Sequence, residues 1–198
     1  MPYLIRTGTE ADRQGIADVM SEAYYYMFKS LTQDREGVAR GLAPMLHPER
    51  FTVAVAQDTG RVAGTVGLSD AEGYAISVQP QVLREAMGFI KGNLAAAALR
   101  EMVTRPKAFQ PGHAHLDFVS VREADRGQGL AKGMLRYILD SEAYALYTLD
   151  VTEGNEQALP LFEGLGFART GTEPEKAAAL KGFSFRYLLA YRPGGDKA

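Results

Sequence analysis

Apolar residues follow two patterns along this chain. In several short runs, apolar and β-branched residues dominate or alternate with polar ones, which is typical of strands. In longer segments, apolar residues recur every three or four positions, which predicts amphipathic helices. The predicted strands are 3–8, 51–57, 61–69, 113–121, 147–155, 167–173 and 182–192. The turn Asp58–Gly60 joins the second strand to the third and makes them the clearest hairpin.

Helices are predicted between these strands. Thr9 is a suitable N-cap for the first helix, and Pro44 interrupts the second. Gly88 and Gly92 weaken the helical pattern of the third segment. The predicted helices are 9–28, 37–46, one or two within 70–112, one after Gly129, and one from Asn155 to Gly164 or Gly166.

The order of elements indicates the fold class. Hairpins are combined with crossover helices, which predicts a mixed α/β (α+β) fold around a single sheet. The strand 113–121 is apolar almost throughout near its end, and this places it at the centre of the sheet. A chain of 198 residues can bury a substantial core, and no linker or repeat divides it. We expect one domain over 1–192, a helical insert at about 70–112 and a disordered tail at 193–198.

The composition narrows the class of protein. A net charge of −2 disfavours general affinity for nucleic acid or for an anionic membrane. Without cysteine, the chain has no disulfide, thiolate metal site or cysteine nucleophile, and we predict no metal site. The N-terminus lacks the apolar core of a signal peptide, and the aliphatic run 94–99 is too short to cross a bilayer. We therefore expect a soluble, cytoplasmic protein.

The segment Arg126–Leu135, RGQGLAKGML, leads from a predicted strand into a helix. An arginine at a helix N-terminus is mildly unfavourable, because that end already carries partial positive charge. Gly127 and Gly129 would let backbone N–H groups approach an anion closely. These features predict a phosphate-binding turn. The alternative is a flexible surface turn with a solvated arginine, since short glycine motifs are weak signals by themselves.

A dinucleotide-binding fingerprint is a second alternative. Gly127, Gly129 and Gly133 are spaced as G-x-G-x-x-x-G, and Asp150 ends a strand about 20 residues later. In that fold, however, the strand runs almost directly into the first glycine, whereas here the charged segment READR intervenes. That fold also begins with this unit, but here two helices and a hairpin come first. We therefore disfavour this alternative.

Two motifs resemble those of the GNAT acetyltransferase family. The family's acyl-CoA motif is Q/R-x-x-G-x-G/A, and the chain has Arg126, Gly127, Gln128, Gly129, Leu130 and Ala131 in these positions. Further along, LDVTEGNEQALPLFEGLGF resembles the second family motif, which is a strand, an Asn and a helix ending in L-G-F. The strong resemblance covers about 115–167, and both motifs have the family's order and spacing.

The resemblance implies a single GNAT-like domain. Its mostly antiparallel, twisted sheet would have splayed central strands and helices on both faces. The implied activity is the transfer of an acyl group, usually acetyl, from acetyl-CoA to the primary amine of a small molecule or peptide, by direct attack in a ternary complex. Acetyl-CoA would be a co-substrate, and the resemblance leaves a homodimer open. The implied cofactor-binding residues are Val119, Ser120, Val121, Arg126, Gly127, Gln128, Gly129, Leu130, Ala131, Lys132, Asn155 and Phe162.

The resemblance also implies a separate role for each group of these residues. Backbone groups of Val119 and Val121 would contact the pantetheine arm, and the turn that begins at Arg126 would hold the pyrophosphate. Lys132 could add positive charge there. Asn155 would lie near the cofactor or cap the helix that follows it, and both roles can hold together.

The implied reaction needs a base. An alkyl ammonium has a pKa near 10.4 and must lose a proton before it attacks. Asp117 is the candidate, because many family members carry an acid on this strand. A structural carboxylate paired with an arginine is the alternative. His113 and His115 are further candidates with more suitable unperturbed pKa values.

Position 162 departs from the family pattern. Many members have a tyrosine there that protonates the leaving thiolate, but this chain has Phe162. A thiol of pKa near 8.5 can leave partly unassisted, so activity need not be lost. The second hypothesis is therefore a non-catalytic acyl-CoA-binding or regulatory module. The acceptor site would be walled by the first two helices, the insert and the last hairpin. The aromatic run 24–28, Tyr187 and Tyr191 are candidates for its lining, and the alternative is that these aromatic residues belong to the core.

Overall fold

The computed structural model describes residues 2–29, 32–103, 109–175 and 182–194. Within these residues the strands are β1 (Tyr3–Thr7), β2 (Phe51–Ala56), β3 (Val62–Asp70), β4 (His113–Val121), β5 (Leu146–Thr152), β6 (Ala168–Pro174) and β7 (Phe185–Tyr191). The helices are α1 (Arg13–Ala23), α2 (Tyr25–Phe28), α3 (Arg35–Leu42), α4 (Pro80–Met87), α5 (Phe89–Val103), α6 (Leu130–Leu139) and α7 (Leu159–Glu163). Every predicted strand is present, with bounds close to those expected from the sequence.

One sheet contains these strands, in the order β1-β2-β3-β4-β5-β7-β6. Neighbouring strands are antiparallel except β4 and β5, which run parallel and are connected through α6. The strand β4 lies at the centre of the sheet, as its apolar pattern predicted. The mixed α/β fold with a mostly antiparallel sheet is therefore confirmed.

Helices cover both faces of the sheet, as expected. On one face α1, α3, α4 and α5 bury a core that includes Ile16, Phe51 and Leu99. On the other face α6 and α7 bury a core that includes Met134 and Leu149. The two surfaces are named the α1 face and the α6 face below.

The insert predicted within 70–112 contains the helical pair α4 and α5. Gly88 links them with a φ of +80°, a conformation that L side chains rarely adopt. A Cβ on Gly92 would come within 2.5 Å of backbone atoms of Arg84, so the two helices approach closely at this glycine. The glycines that weaken the helical pattern thus form the turn and the contact of this pair. Residues 104–108 of the insert lie outside the described residues.

Two predicted helices differ in detail. The segment 9–28 begins as a 3₁₀ turn at Glu10–Asp12 and then breaks at Tyr24, between α1 and α2. The last predicted helix opens with a 3₁₀ turn at Glu156–Ala158 before the short α7. Pro193 and Gly194 form a turn, and the rest of the predicted disordered tail, 195–198, lies outside the described residues.

The buried carboxylate of Asp12 joins β1 to the start of α1. Arg6 donates two hydrogen bonds to it, at 2.7 and 3.0 Å. Thr9, the predicted N-cap, donates its backbone N–H and its hydroxyl, each at 2.8 Å. The hydrogen bonds from Arg6 are the main cause that lowers the pKa of Asp12, although burial opposes them. The carboxylate is therefore ionised in the folded protein at neutral pH.

We expect Asp12→Ala to lower the free energy of unfolding at neutral pH by about 1.5–3 kcal/mol, because it removes a charged acceptor from Arg6 and Thr9. The folded pKa lies below the unfolded one, so this contribution is present above about pH 4 and is lost as the pH falls through the folded pKa. Urea unfolding at neutral and at acidic pH measures both effects. Glu10→Ala, which removes an exposed ion pair with Arg13, is the control and should cost less. Equal losses at both pH values would contradict the expectation.

Candidate functional site

The turn between β4 and α6 has a backbone suited to an anion. Gly127 and Gly129 have φ values of +76° and +74°, and a Cβ built on either would meet no atom within 4 Å. The space over both glycines is therefore open. The first backbone hydrogen bond of α6 is made by Gly133, whose N–H donates to the carbonyl oxygen of Gly129 at 2.9 Å. The N–H groups of Leu130–Lys132 precede this bond and can serve an anion.

Hydrogen bonds from Tyr3 and Arg61 to Asp125 hold the turn in place. Asp125, immediately before it, is buried and accepts hydrogen bonds from the Tyr3 hydroxyl at 2.8 Å and from Arg61 at 3.0 Å. The side chain of Gln128 reaches the same Tyr3 hydroxyl. Arg126 is exposed, with its Nε 3.5 Å from the carbonyl oxygen of Val121. The turn thus combines an exposed positive charge with a backbone that is fixed by hydrogen bonds next to it.

The strands β4 and β5 separate partway along their length. Their pairing joins His113–His115 to Leu146–Thr148 and ends there in the described residues. Phe118 has a φ of +55°, and the register of β4 against β3 shifts beside it, which marks a bulge. Val119–Val121 lie beyond the last pair with β5, so their edge borders an opening. This opening, between Val119–Val121 of β4 and the end of β5 after Thr148, is named the cleft, and it confirms the expected splay.

Asp117 lies two residues beyond the last β4–β5 pair and is 9% exposed. Ser69 donates its hydroxyl proton to Oδ2 of Asp117 at 2.7 Å, and the Ser69 oxygen accepts the backbone N–H of Ala75 at 3.0 Å. Oδ1 of Asp117 is 3.5 Å from Nε2 of His115. A serine and a histidine therefore orient this carboxylate at the base of the cleft.

The two histidines of β4 lie within hydrogen-bond distance of the same hydroxyl group. Nε2 of His113 and Nδ1 of His115 lie 2.8 and 2.9 Å from Oγ1 of Thr148. Burial is the main cause that lowers the pKa of His113, which favours its neutral form. His115 is 4% exposed and uses its second nitrogen toward Asp117. Both ring nitrogens of His115 are therefore engaged.

Tyr24 covers the cleft from the α1 face. Its ring packs edge-on against Phe118 with centroids 5.6 Å apart, and its hydroxyl lies beside Ser120. Burial raises the pKa of Tyr24, Ser120 opposes this shift, and the charge of Asp117 adds to it. The sequence placed Tyr24 in an aromatic run but gave it no role of its own. The break between α1 and α2 positions it here, and helical periodicity carries no signal for that break.

Two buried charges form an ion pair between β7 and the residue that follows β6. Arg186 is 3.0 Å from Glu175 and 3.9 Å from Asp150 of β5. Burial raises the pKa of Tyr26 while Arg186 lowers it, so the charge of Arg186 lies near Tyr26 of α2. Tyr187 and Tyr191, two further candidates for the lining of an acceptor site, pack on the α6 face instead. The sequence did not single out Arg186 or Glu175.

Asn155 and Phe162 occupy different surroundings. Asn155 is exposed at an N-cap position, but its side chain makes no capping hydrogen bond. The expectation that this side chain caps the helix is therefore wrong: Asn155 has φ −116° and ψ 28°, outside the extended region that capping residues usually adopt. Phe162 is 5% exposed and packs edge-on against Phe167 at 6.1 Å, in the core of the α6 face.

In the parts of the chain that the structure describes, no group of three or more His, Cys, Asp or Glu side chains is placed to hold a metal ion. None of the described helices combines the length and the apolar character needed to cross a membrane.

The sequence matches a known protein family. The sequence model of the acetyltransferase (GNAT) family matches residues 13–167. This range includes the glycine turn, both strands of the cleft, Tyr24 and Asn155. It thus covers the residues that the resemblance identified from the two motifs, together with the first helices of the α1 face.

Individual proteins are also similar to this chain. N-acetyltransferase family 8 member 2 from Rattus norvegicus is 32% identical over 112 residues, which are 53% of this chain and 47% of that protein. The chain therefore spans about half the length of this relative. A solved N-acetyltransferase from Staphylococcus aureus Mu50 aligns with a TM-score of 0.64 at 18% identity, covering 95% of this chain and 100% of that one. A ribosomal-protein-alanine N-acetyltransferase from Brucella melitensis aligns with a TM-score of 0.58 at 17% identity, covering 96% and 99%. The two structures share the fold.

The glycine turn permits a matched test with CoA. We expect Gly127→Ala to weaken CoA binding by about tenfold or more, a loss of about 1.4 kcal/mol, because the new methyl group enters the open space and strains the turn. Gly60→Ala is the control: Gly60 has a φ of +70° and an equally open Cβ position, but it lies in the β2–β3 turn. Calorimetric titration with CoA compares them. Equal CoA affinity in both folded variants would remove the turn as the anion site.

Proposed function

Because this chain belongs to the acetyltransferase (GNAT) family, we propose that it transfers an acetyl group from acetyl-CoA to a primary amine of a small molecule or peptide. The observation that carries the proposal is the cleft between β4 and β5 with an anion-binding turn near its rim. An acyl-CoA needs both features. Its pyrophosphate requires N–H donors, and its extended arm can add hydrogen bonds to an unpaired strand edge.

The residues present fit such a ligand. The backbone N–H groups from Gly127 to Lys132 would hold the pyrophosphate, and the side chains of Arg126 and Lys132 would add positive charge. The space that a Cβ on Gly127 or Gly129 would fill is the space that a phosphate needs. Val119, Ser120 and Val121 would offer their strand edge to the arm, with the exposed amide of Asn155 on the opposite border. The proposed set also includes Gln128, Leu130, Ala131 and Phe162. Phe162 would contribute by packing in the core of the α6 face.

Asp117 would serve as the base. An amine approaching from the α1 side would pass Tyr26 and Arg186 and meet this carboxylate at the base of the cleft. Ser69 and His115 hold the carboxylate in position, so it needs little reorganisation when it accepts a proton. The chain has no cysteine to carry the acetyl group, which supports direct attack by the amine.

A second candidate is a module that binds acyl-CoA without catalysis. The observation in its favour is Phe162, which has no proton to donate and is buried against Phe167. Both candidates require CoA binding, and amine-dependent release of the CoA thiol separates them.

We expect thiol release from acetyl-CoA that depends on an added amine. A panel of small amines, antibiotics and peptides provides the acceptors, and calorimetry measures acetyl-CoA binding in parallel. Turnover with any acceptor supports the enzyme and identifies its acceptor class. Tight binding of acetyl-CoA with no turnover across the panel would favour the binding module.

Asp117→Asn tests the base. The amide keeps the shape of the side chain and can still accept from Ser69, so we expect a folded protein whose kcat is lower by about 10²- to 10⁴-fold. The acidic limb of the pH–rate profile should also change. Asp70→Asn is the control, since Asp70 is another buried aspartate held by Arg50 and Tyr144 but paired near the opposite end of β4. Full activity with an unshifted profile in Asp117→Asn would remove Asp117 as the base.

A further inference from the structure

Acetyl transfer from a thioester to an amine moves one proton from nitrogen to sulfur. The base removes that proton from the attacking amine, and the CoA sulfur leaves as a thiolate whose conjugate acid has a pKa near 8.5. At neutral pH the thiolate therefore takes up a proton. A positioned donor accelerates such a step by about 10²- to 10⁴-fold.

The cleft can receive a proton donor from either face of the sheet. On the α6 face, the residue nearest this role by motif is Phe162, which has no O–H group and is packed against Phe167. On the α1 face, Tyr24 places a phenol beside Ser120, one of the three residues of β4 that border the cleft.

Other tyrosines in the described residues are engaged elsewhere. The hydroxyl of Tyr144 donates to Asp70 at 2.5 Å, beside the paired part of β4 and β5 and away from the cleft. Tyr26 is 46% exposed and lies toward Arg186. Tyr187 packs on the α6 face between Phe185 and Arg169. Of these four tyrosines, Tyr24 is the one whose ring packs on the bulge of β4.

The position of Tyr24 is fixed by packing rather than by exposed contacts. Its ring lies edge-on to Phe118, 5.6 Å away, and Phe118 is itself 7% exposed at the bulge that opens the cleft. The groups that act on its hydroxyl are Ser120, through a hydrogen bond, and Tyr26 and Asp117, through their charge. Burial raises the pKa of Tyr24, so the phenol carries its proton at neutral pH.

We propose that Tyr24 is the catalytic residue that donates a proton to the leaving CoA sulfur, an inference that rests on the proposed transferase function. The amine enters this step neutral, because Asp117 has already passed the ammonium proton to solvent. Its nitrogen forms a bond to the acyl carbon, and Asp117 accepts the proton that the nitrogen then loses. The carbon–sulfur bond breaks with its electron pair on sulfur, and Tyr24 gives its O–H proton to that sulfur. The protonated Asp117, whose charge acts on Tyr24, returns a proton to the tyrosinate. Nothing is oxidised or reduced, and one proton has moved from nitrogen to sulfur.

Tyr24→Phe tests this role, because it removes the O–H group and keeps the ring that packs on Phe118. Each protein is assayed with an amine acceptor and two acetyl donors. One is acetyl-CoA, and the other is an S-acetyl aryl thiol, whose more acidic leaving group needs no proton at neutral pH. We expect kcat with acetyl-CoA to fall by about 10²-fold or more and kcat with the aryl thioester to stay unchanged. Tyr137→Phe, which removes the hydroxyl of a tyrosine 46% exposed on α6, is the control and should match the wild type with both donors.

The two donors separate catalysis from packing. An equal loss with both donors would mean that the Tyr24 hydroxyl only supports the structure, and it would overturn the proposal. An unchanged kcat with acetyl-CoA would overturn it as well, while wild-type turnover would leave the transferase function intact. No amine-dependent turnover by the wild type with any acceptor would overturn both proposals together. Calorimetric titration with CoA, expected to be the same for wild type and Tyr24→Phe, excludes a loss of binding as the cause.

Discussion

The separation of β4 from β5 is the constraint on which the rest of the site depends. Two parallel strands that stayed paired would use the backbone N–H and C=O groups of Val119–Val121 for each other. The bulge at Phe118 prevents this, at a cost of about 1–3 kcal/mol for a non-glycine residue with positive φ. Such a conformation persists because its surroundings hold it, and here the ring of Phe118 is buried against Tyr24. The packing that keeps the cleft open is therefore the packing that covers it.

The sheet tolerates this separation because each strand keeps its other neighbour. Beyond the bulge, Ser120 and Val121 still pair with Thr65 and Gly64 of β3. On the other side, β5 pairs with β7 along Tyr147–Thr152, well past the point where it leaves β4. The edges of the cleft are thus anchored to opposite halves of the sheet. A ligand there can bind to ordered backbone without any strand having to move.

Local signals in the sequence predict most of the fold. The strands, the hairpin at Asp58–Gly60 and the helical insert follow from periodicity and turn residues, and the glycine turn follows from residue types that an anion site needs. The order β5-β7-β6 could not be read this way, because the place of β7 depends on contacts between residues far apart in the chain. The bulge at Phe118 has no local marker either, since a glycine would be the usual signal for positive φ.

The candidate site shows the same limit at the level of side chains. The turn and the strand edge could be located from motifs, because their function belongs to the backbone and needs particular residue types. Ser69, Thr148 and Arg186 could not, because each acts through a neighbour on another strand or helix. Asn155 shows the converse: it is a common capping residue at a capping position, but its backbone, with a ψ of 28°, lies outside the extended region typical of side-chain caps.

The α1 face combines an acid, a phenol and apolar rings in one buried environment. Burial favours the protonated form of a phenol and raises the pKa of Tyr24. Asp117 accepts a hydrogen bond from Ser69 and lies 3.5 Å from Nε2 of His115, whereas Tyr24 has an aromatic ring as its main neighbour. A carboxylate that can accept a proton and a phenol that retains one are thereby held on the same side of β4. Asp117 and Ser120, the neighbour of Tyr24, flank the two residues of β4 at which the register against β3 shifts. The carboxylate and the phenol therefore both lie next to the bulge. In a regular strand the side chains of Asp117 and Ser120, three residues apart, would point to opposite faces. The bulge beside the cleft therefore also brings Asp117 to the face of β4 that Tyr24 covers.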